Sequence, residues 1–226
     1  MAFSGFGPDA LPFFKALAFH QTKEWFEENR AIYENQVKEP FGDLIEELSE
    51  CFAKEGIPLK GSRKGSLFRL NKDVRFSNGK DLYKTHAGGT MSRTGAKLEP
   101  GLLYIHIDPK GCFLGAAFYR PEPATLLHLR RAIQRDPKAW RAMLAALKKG
   151  KLELSDGESL SRLPRGFEDV TDVEMADAIK RKSFLIRSPI DDKAIHKPGF
   201  VDDVADFAKR ALPLLNWGWA ASVDER

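Results

Sequence analysis

Residues 102 to 119 constrain this chain more tightly than any other stretch. Leu102-Leu103-Tyr104-Ile105-His106-Ile107 and Cys112-Phe113-Leu114-Gly115-Ala116-Ala117-Phe118-Tyr119 both follow the two-residue period of a strand, and only Asp108-Pro109-Lys110-Gly111 separates them. Asp at the first turn position, Pro at the second and Gly at the fourth suit a type I turn with a bulge at Gly111. So short a link allows only antiparallel pairing. The middle of the chain is therefore expected to hold a hairpin and the sheet that grows from it.

On both sides the period becomes helical. Leu11, Phe14 and Leu17 mark a first helix after Pro8-Asp9, and Thr22 is placed to cap a second that carries Trp25, Phe26, Asn29, Tyr33 and Val37. Pro40 has no N–H to give and should kink or restart that helix. The apolar period resumes at Phe41, Leu44, Ile45, Leu48 and Phe52 and stops at Gly56 and Pro58. Later helices are expected over 126–133, 140–147 and 201–219. Short strands are expected at 67–70, 74–76, 86–91, 151–154 and 183–187, the last able to join the main sheet. Strands that cluster in the middle instead of alternating with helices predict an α+β fold: a central antiparallel or mixed sheet flanked by N-terminal and C-terminal helices. One domain over 1–226 is expected, with a helical layer over 1–58, a sheet core over 66–120, and helices plus one or two strands over 121–226.

With 42% hydrophobic residues and 16 Phe, the chain has ample material for a core. No run approaches the roughly 18 apolar residues a membrane span needs, and the first residues lack a basic stretch followed by an apolar one. A soluble, cytoplasmic protein with no membrane partner is the expectation. Cys51 and Cys112 are too few for a disulfide framework or a four-cysteine zinc site. Gly61-Ser62-Arg63-Lys64-Gly65-Ser66 has the wrong order for a P-loop, and neither a dinucleotide fingerprint nor a Gly-x-Ser-x-Gly elbow occurs. No cofactor is expected.

Charge is concentrated. Residues 60 to 86 hold eight basic side chains and two acidic ones, a local charge of +6 in a chain whose total is +4. A local positive field with Phe68, Phe76 and Tyr83 interleaved points to an anionic partner. Arg69, Lys72, Arg75, Lys84 and Thr85 surround the Asn78-Gly79 turn and can converge on one phosphate or carboxylate, with Tyr119 and Arg120 at the end of the hairpin as the facing wall. His86 is the candidate proton donor or acceptor. Strand alternation puts Arg69 in or beside a sheet, where its guanidinium needs either an internal carboxylate (Asp73, Glu27 or Glu28) or a bound anion.

The leading expectation is a small, phosphate-bearing ligand, with group transfer or hydrolysis if chemistry accompanies binding; the residues do not decide whether it does. A protein-interaction module with a basic recognition loop is the alternative, and nucleic-acid binding a further one, weakened because acids dilute the basic clusters at 130–149 and 180–182. His106 and Asp108 share a face with the spacing of two metal ligands, and His86, His128 or His196 could supply a third. A His-x-Asp pair at a hairpin corner ordinarily stays exposed and organises the turn, so no metal is assigned. Nothing in the residues indicates an oligomeric state.

Several segments together carry a resemblance: Phe3-Ser4-Gly5-Phe6, Glu24-Trp25-Phe26-Glu27-Glu28-Asn29-Arg30, residues 68 to 86 with Asp73-Val74-Arg75-Phe76-Ser77 and Tyr83-Lys84-Thr85-His86, Tyr119-Arg120-Pro121-Glu122, and Lys180-Arg181-Lys182-Ser183-Phe184. The chain resembles a widespread, largely bacterial family of uncharacterised proteins, a domain of unknown function. The likeness runs over nearly the whole length and implies a single domain; it brings no activity, cofactor or catalytic residue with it.

Overall fold

The computed structural model describes residues 2–72 and 81–222. Helix α1 (Ala10–Phe19) buries Leu11, Phe13, Phe14 and Leu17. Helix α2 (Lys23–Tyr33) starts where the side chain of Thr22 accepts a hydrogen bond from the Trp25 amide, 3.2 Å away, so one orphan donor of the first turn is satisfied. The helix restarts at Pro40, one of the two outcomes expected of it. A π-helical turn over Glu34–Lys38 slips extra backbone in after α2, and α3 (Glu39–Glu55) then restarts with Pro40 in its first turn. Gly56, left-handed at φ 69°, ends α3.

A one-turn helix, α4 (Arg63–Ser66), precedes four strands: β1 (Ala87–Met91), β2 (Leu102–Ile107), β3 (Cys112–Phe118) and β4 (Phe184–Ile190). They form one antiparallel sheet in the order β1-β2-β3-β4, as an α+β architecture requires. Between β3 and β4 lie α5 (Pro123–Arg135), α6 (Pro137–Lys149) and α7 (Val173–Lys180), and α8 (Phe200–Ser222) closes the chain. At the hairpin corner Gly111 donates to the Asp108 carbonyl at 2.9 Å, with φ 131° at Gly111.

Two expected strands are absent. Residues 67–70 contribute one isolated bridge, Leu67 to Gly89, and Asn71 just beyond makes another to Tyr83, because the chain bends at Leu70 and its partner bends at Thr85-His86. Residues 151–154 contribute one bridge, Leu154 to Ile186. The expected strand at 74–76 lies outside the described residues. Gly115, Ala116 and Ala117 are buried in β3.

The chain divides into two compact units: residues 1–99, 103–114 and 188–207 in one, and 100–102, 115–187 and 208–226 in the other. In the first unit, Phe6 meets Phe41 edge-on at 5.4 Å within a core of Phe14, Leu44, Ile45, Leu48 and Phe52. Helix α3 comes close to β1 because Gly89 has no side chain: a Cβ there would stand 2.8 Å from the Phe41 ring. In the second unit, Trp140, Phe184 and Trp217 form an aromatic cluster with ring centroids 4.9 to 5.7 Å apart.

Candidate functional site

Strand β2 decides what the site contains. Leu103, Ile105 and Ile107 are fully buried, so the alternate positions Tyr104 and His106, and Asp108 just beyond, share the opposite face. The register pairs Ala87 with Ile107 and Gly88 with His106; one step further along the same register, His86 stands opposite Asp108. Two segments well separated in the sequence thus deliver His86, His106 and Asp108 to one place.

His106 is held on several sides. Its Nε2 lies 3.3 Å from Asp108 Oδ2 and its Nδ1 3.0 Å from Tyr104 Oη, so with the proton on Nε2 the Tyr104 hydroxyl donates to Nδ1. Its ring packs on Phe113 at 4.4 Å and on the His86 ring at 4.5 Å. Asp108 Oδ1 accepts from the Lys110 amide at 2.8 Å, the expected turn contact. The expectation of an exposed pair fails, however: the side chains of His106 and Asp108 are only 13% and 14% accessible, and the His86 and Phe113 rings pack on His106. His86 Nδ1 lies 4.0 Å from Asp108 Oδ2. Burial lowers the basicity of His86; Asp108 works against this, while Lys84 and Lys72 add to it. Burial likewise pushes the Tyr104 phenol up to about 12.

Gly88 makes the arrangement possible. A Cβ there would meet Tyr104 Oη at 2.6 Å, so the phenol lies across β1 where a side chain would otherwise stand.

The basic segment splits into parts with different fates. Arg63 is consumed structurally: its guanidinium meets Glu39 at 2.7 Å, Asp43 at 2.5 Å and Glu46 at 3.0 Å, three carboxylates of α3, and its basicity is raised by Glu46 and Asp43. Lys72 pairs with Asp81 at 3.0 Å. Arg69 is exposed and not in a strand, so burial does not oblige it to find an internal partner; Glu27, one candidate partner, pairs with Arg30 at 2.6 Å. The Lys84 ammonium lies 5.4 Å from the centroid of the Phe68 ring, as does that of Lys97, which also donates to the Leu67 carbonyl. Burial, then the neighbouring Arg69 and Lys97, lowers the basicity of Lys84. Thr85 is half-buried in the bend before β1. Arg75 lies outside the described residues.

Tyr119 and Arg120 belong to the other unit, where Arg120 pairs with Glu158 and its amide donates to Ser183 Oγ at 2.8 Å. Of the other histidines considered, His196 donates through Nδ1 to the Phe6 carbonyl at 2.9 Å, and His128 is a residue of α5 in the second unit. Lys97 escapes a reading of the basic run because it sits eleven residues beyond the end of that run. A cleft of about 550 Å³ elsewhere in the first unit is lined by Glu46, Glu47, Glu50, Glu55 and Asp202 and by none of the expected ligand residues.

The family model for conserved hypothetical proteins designated DUF2461 matches residues 9–217. The chain belongs to the DUF2461 family. No curated protein and no solved structure matches it. In this DUF2461 member, several motifs behind the resemblance are tied to one another. Phe26 stacks on Tyr83 at 4.6 Å, joining the Glu24 to Arg30 motif to the basic segment, and Gln21 Oε1 accepts from the Tyr83 amide at 2.8 Å. Arg120 and Ser183 join the Tyr119 and Lys180 motifs in the same way. None of the described helices is long and apolar enough to cross a membrane.

Proposed function

We propose that this chain binds a small phosphate-bearing anion on the ledge formed by Arg69, Lys72, Lys84, Thr85 and Lys97, with Arg75 included on its place in the sequence. One observation supports this above all: two ammonium groups converge on a single aromatic ring, Lys84 and Lys97 each 5.4 Å from the centre of Phe68. Like charges gathered on a half-buried surface repel, and a multiply charged oxyanion relieves that repulsion while accepting their hydrogen bonds. Arg120 is no longer needed as a facing wall, since Glu158 already engages it.

A second reading, a recognition surface for an acidic protein segment, is favoured by the position of the 550 Å³ cleft away from the ledge. Nucleic-acid binding loses ground because the groups that would extend a basic track are engaged internally: Arg130 with the carbonyls of Ile179 and Arg181, and Arg141 with Asp172 and Glu174.

Thermal unfolding in pyrophosphate, polyglutamate or chloride at matched ionic strength tests the reading. At a hundredfold excess over the dissociation constant, pyrophosphate is expected to raise the midpoint by about 5 to 10 °C beyond chloride. Lys84→Ala and Lys97→Ala should each remove most of that rise. Equal rises in pyrophosphate and chloride would sink the proposal, and a rise with polyglutamate alone would establish the second reading.

A further inference from the structure

The geometry points to a second site, beside the anion ledge and built from other residues: His86, His106 and Asp108 form a binding site for a divalent first-row transition ion, held by two imidazole nitrogens and one carboxylate oxygen.

The donor set selects the ion class. Mg²⁺ and Ca²⁺ take oxygen ligands and soft Cu(I) takes sulfur, whereas two imidazoles and a carboxylate suit Zn²⁺, Fe²⁺ or Co²⁺ and leave coordination positions open. One ligand atom from each of the three residues falls within 4.8 Å of the other two. Bonds of about 2.0 to 2.1 Å in a tetrahedral arrangement put ligand atoms about 3.3 Å apart. The His106 Nε2 to Asp108 Oδ2 distance is already 3.3 Å. The 4.0 Å distance from His86 Nδ1 to the same oxygen must shorten by roughly 0.7 Å, a small side-chain rotation. His86 is the most accessible of the three side chains, at 32%, so an ion would face solvent on its side.

The surroundings also suit an ion. When His106 binds through Nε2, its proton moves to Nδ1, which then donates to Tyr104 Oη 3.0 Å away; the phenol becomes the outer partner that fixes ring orientation. Lys110 N holds the other oxygen of Asp108, leaving Oδ2 to turn toward the ion. A turn-stabilising role accounts for Asp108 alone. It does not account for a second imidazole brought onto the same face from the residue preceding β1, nor for the glycine that lets Tyr104 reach the first. A metal ligand cannot also serve as a general acid or base, so this site replaces the proton-transfer role expected of His86.

The test is calorimetric titration of chelator-treated full-length protein with Zn²⁺, and with Co²⁺ followed by its visible d–d bands. Wild type is expected to bind one equivalent of Zn²⁺ with a dissociation constant at or below about 1 µM. His86→Ala, His106→Ala and Asp108→Asn should each weaken binding about a hundredfold or more, and Tyr104→Phe about tenfold. Asp108→Asn keeps an acceptor for Lys110, so its circular dichroism should match wild type and separate ligand loss from misfolding. His128→Ala should bind as wild type does. Absence of a single saturable equivalent in wild type, or undiminished affinity in both His106→Ala and Asp108→Asn, would overturn the assignment.

Discussion

Lys84 shows what one residue can reveal about purpose. Its ammonium is half-buried next to Arg69 and Lys97, an arrangement that costs the free protein stability. Lys84→Met is therefore expected to raise the thermal midpoint in chloride while abolishing the response to pyrophosphate; a variant that loses stability instead would mark Lys84 as structural. Tyr33 makes the opposite kind of prediction. Burial pushes its phenol up to about 12, against about 10 in the unfolded chain. Between those values the unfolded chain has already lost the proton that the folded chain keeps. The Tyr33 contribution should be intact below pH 10 and fall by roughly 1 kcal/mol per pH unit above it, on top of the parallel losses from Tyr104 and Cys112. Urea titrations at pH 9 and 11 on wild type and Tyr33→Phe measure this, and the variant should show a shallower loss.

Among the elements, α8 contains a helical position with no room for a side chain. Ala ordinarily stabilises a helix interior by up to about 1 kcal/mol over Gly. At Gly218 a Cβ would stand 2.2 Å from the Phe118 ring, so Gly218→Ala should cost about 1 to 3 kcal/mol in chemical unfolding. Which elements the residues disclose depends on how local their cause is. The 108–111 corner and the period of Leu11, Phe14 and Leu17 are local, and both helix and hairpin form where expected. Helix α7 is not among the expected helices, although its cause is also local: Asp172 caps it through the Met175 amide at 3.2 Å, and Met175, Ala178 and Ile179 are spaced to bury one face. Residues 67–70 carry a strand pattern yet make only one bridge, because bends in both partners decide the pairing. The meeting of His86 with Asp108 depends on the β1–β2 register, and the residues linking those strands do not state that register.

At the scale of the whole molecule, the local charge of +6 is not one field. Arg63 faces α3 and its three carboxylates, whereas Lys84 and Lys97 face Phe68. Arg63→Met should cost up to about 1 kcal/mol, because the ion pairs it removes are largely solvent-exposed, and should leave the pyrophosphate response unchanged. A parallel loss of that response would show that the two groups act together. Composition reports the total charge and hides this division, since side chains adjacent in sequence point at different neighbours. The adjacent glycines of β1 are divided in the same way, Gly88 by Tyr104 on one face and Gly89 by Phe41 on the other. Their genetics should therefore be separable: a selection for suppressors of Gly88→Ala should return changes at Tyr104, one for Gly89→Ala changes at Phe41, and neither set should rescue the other.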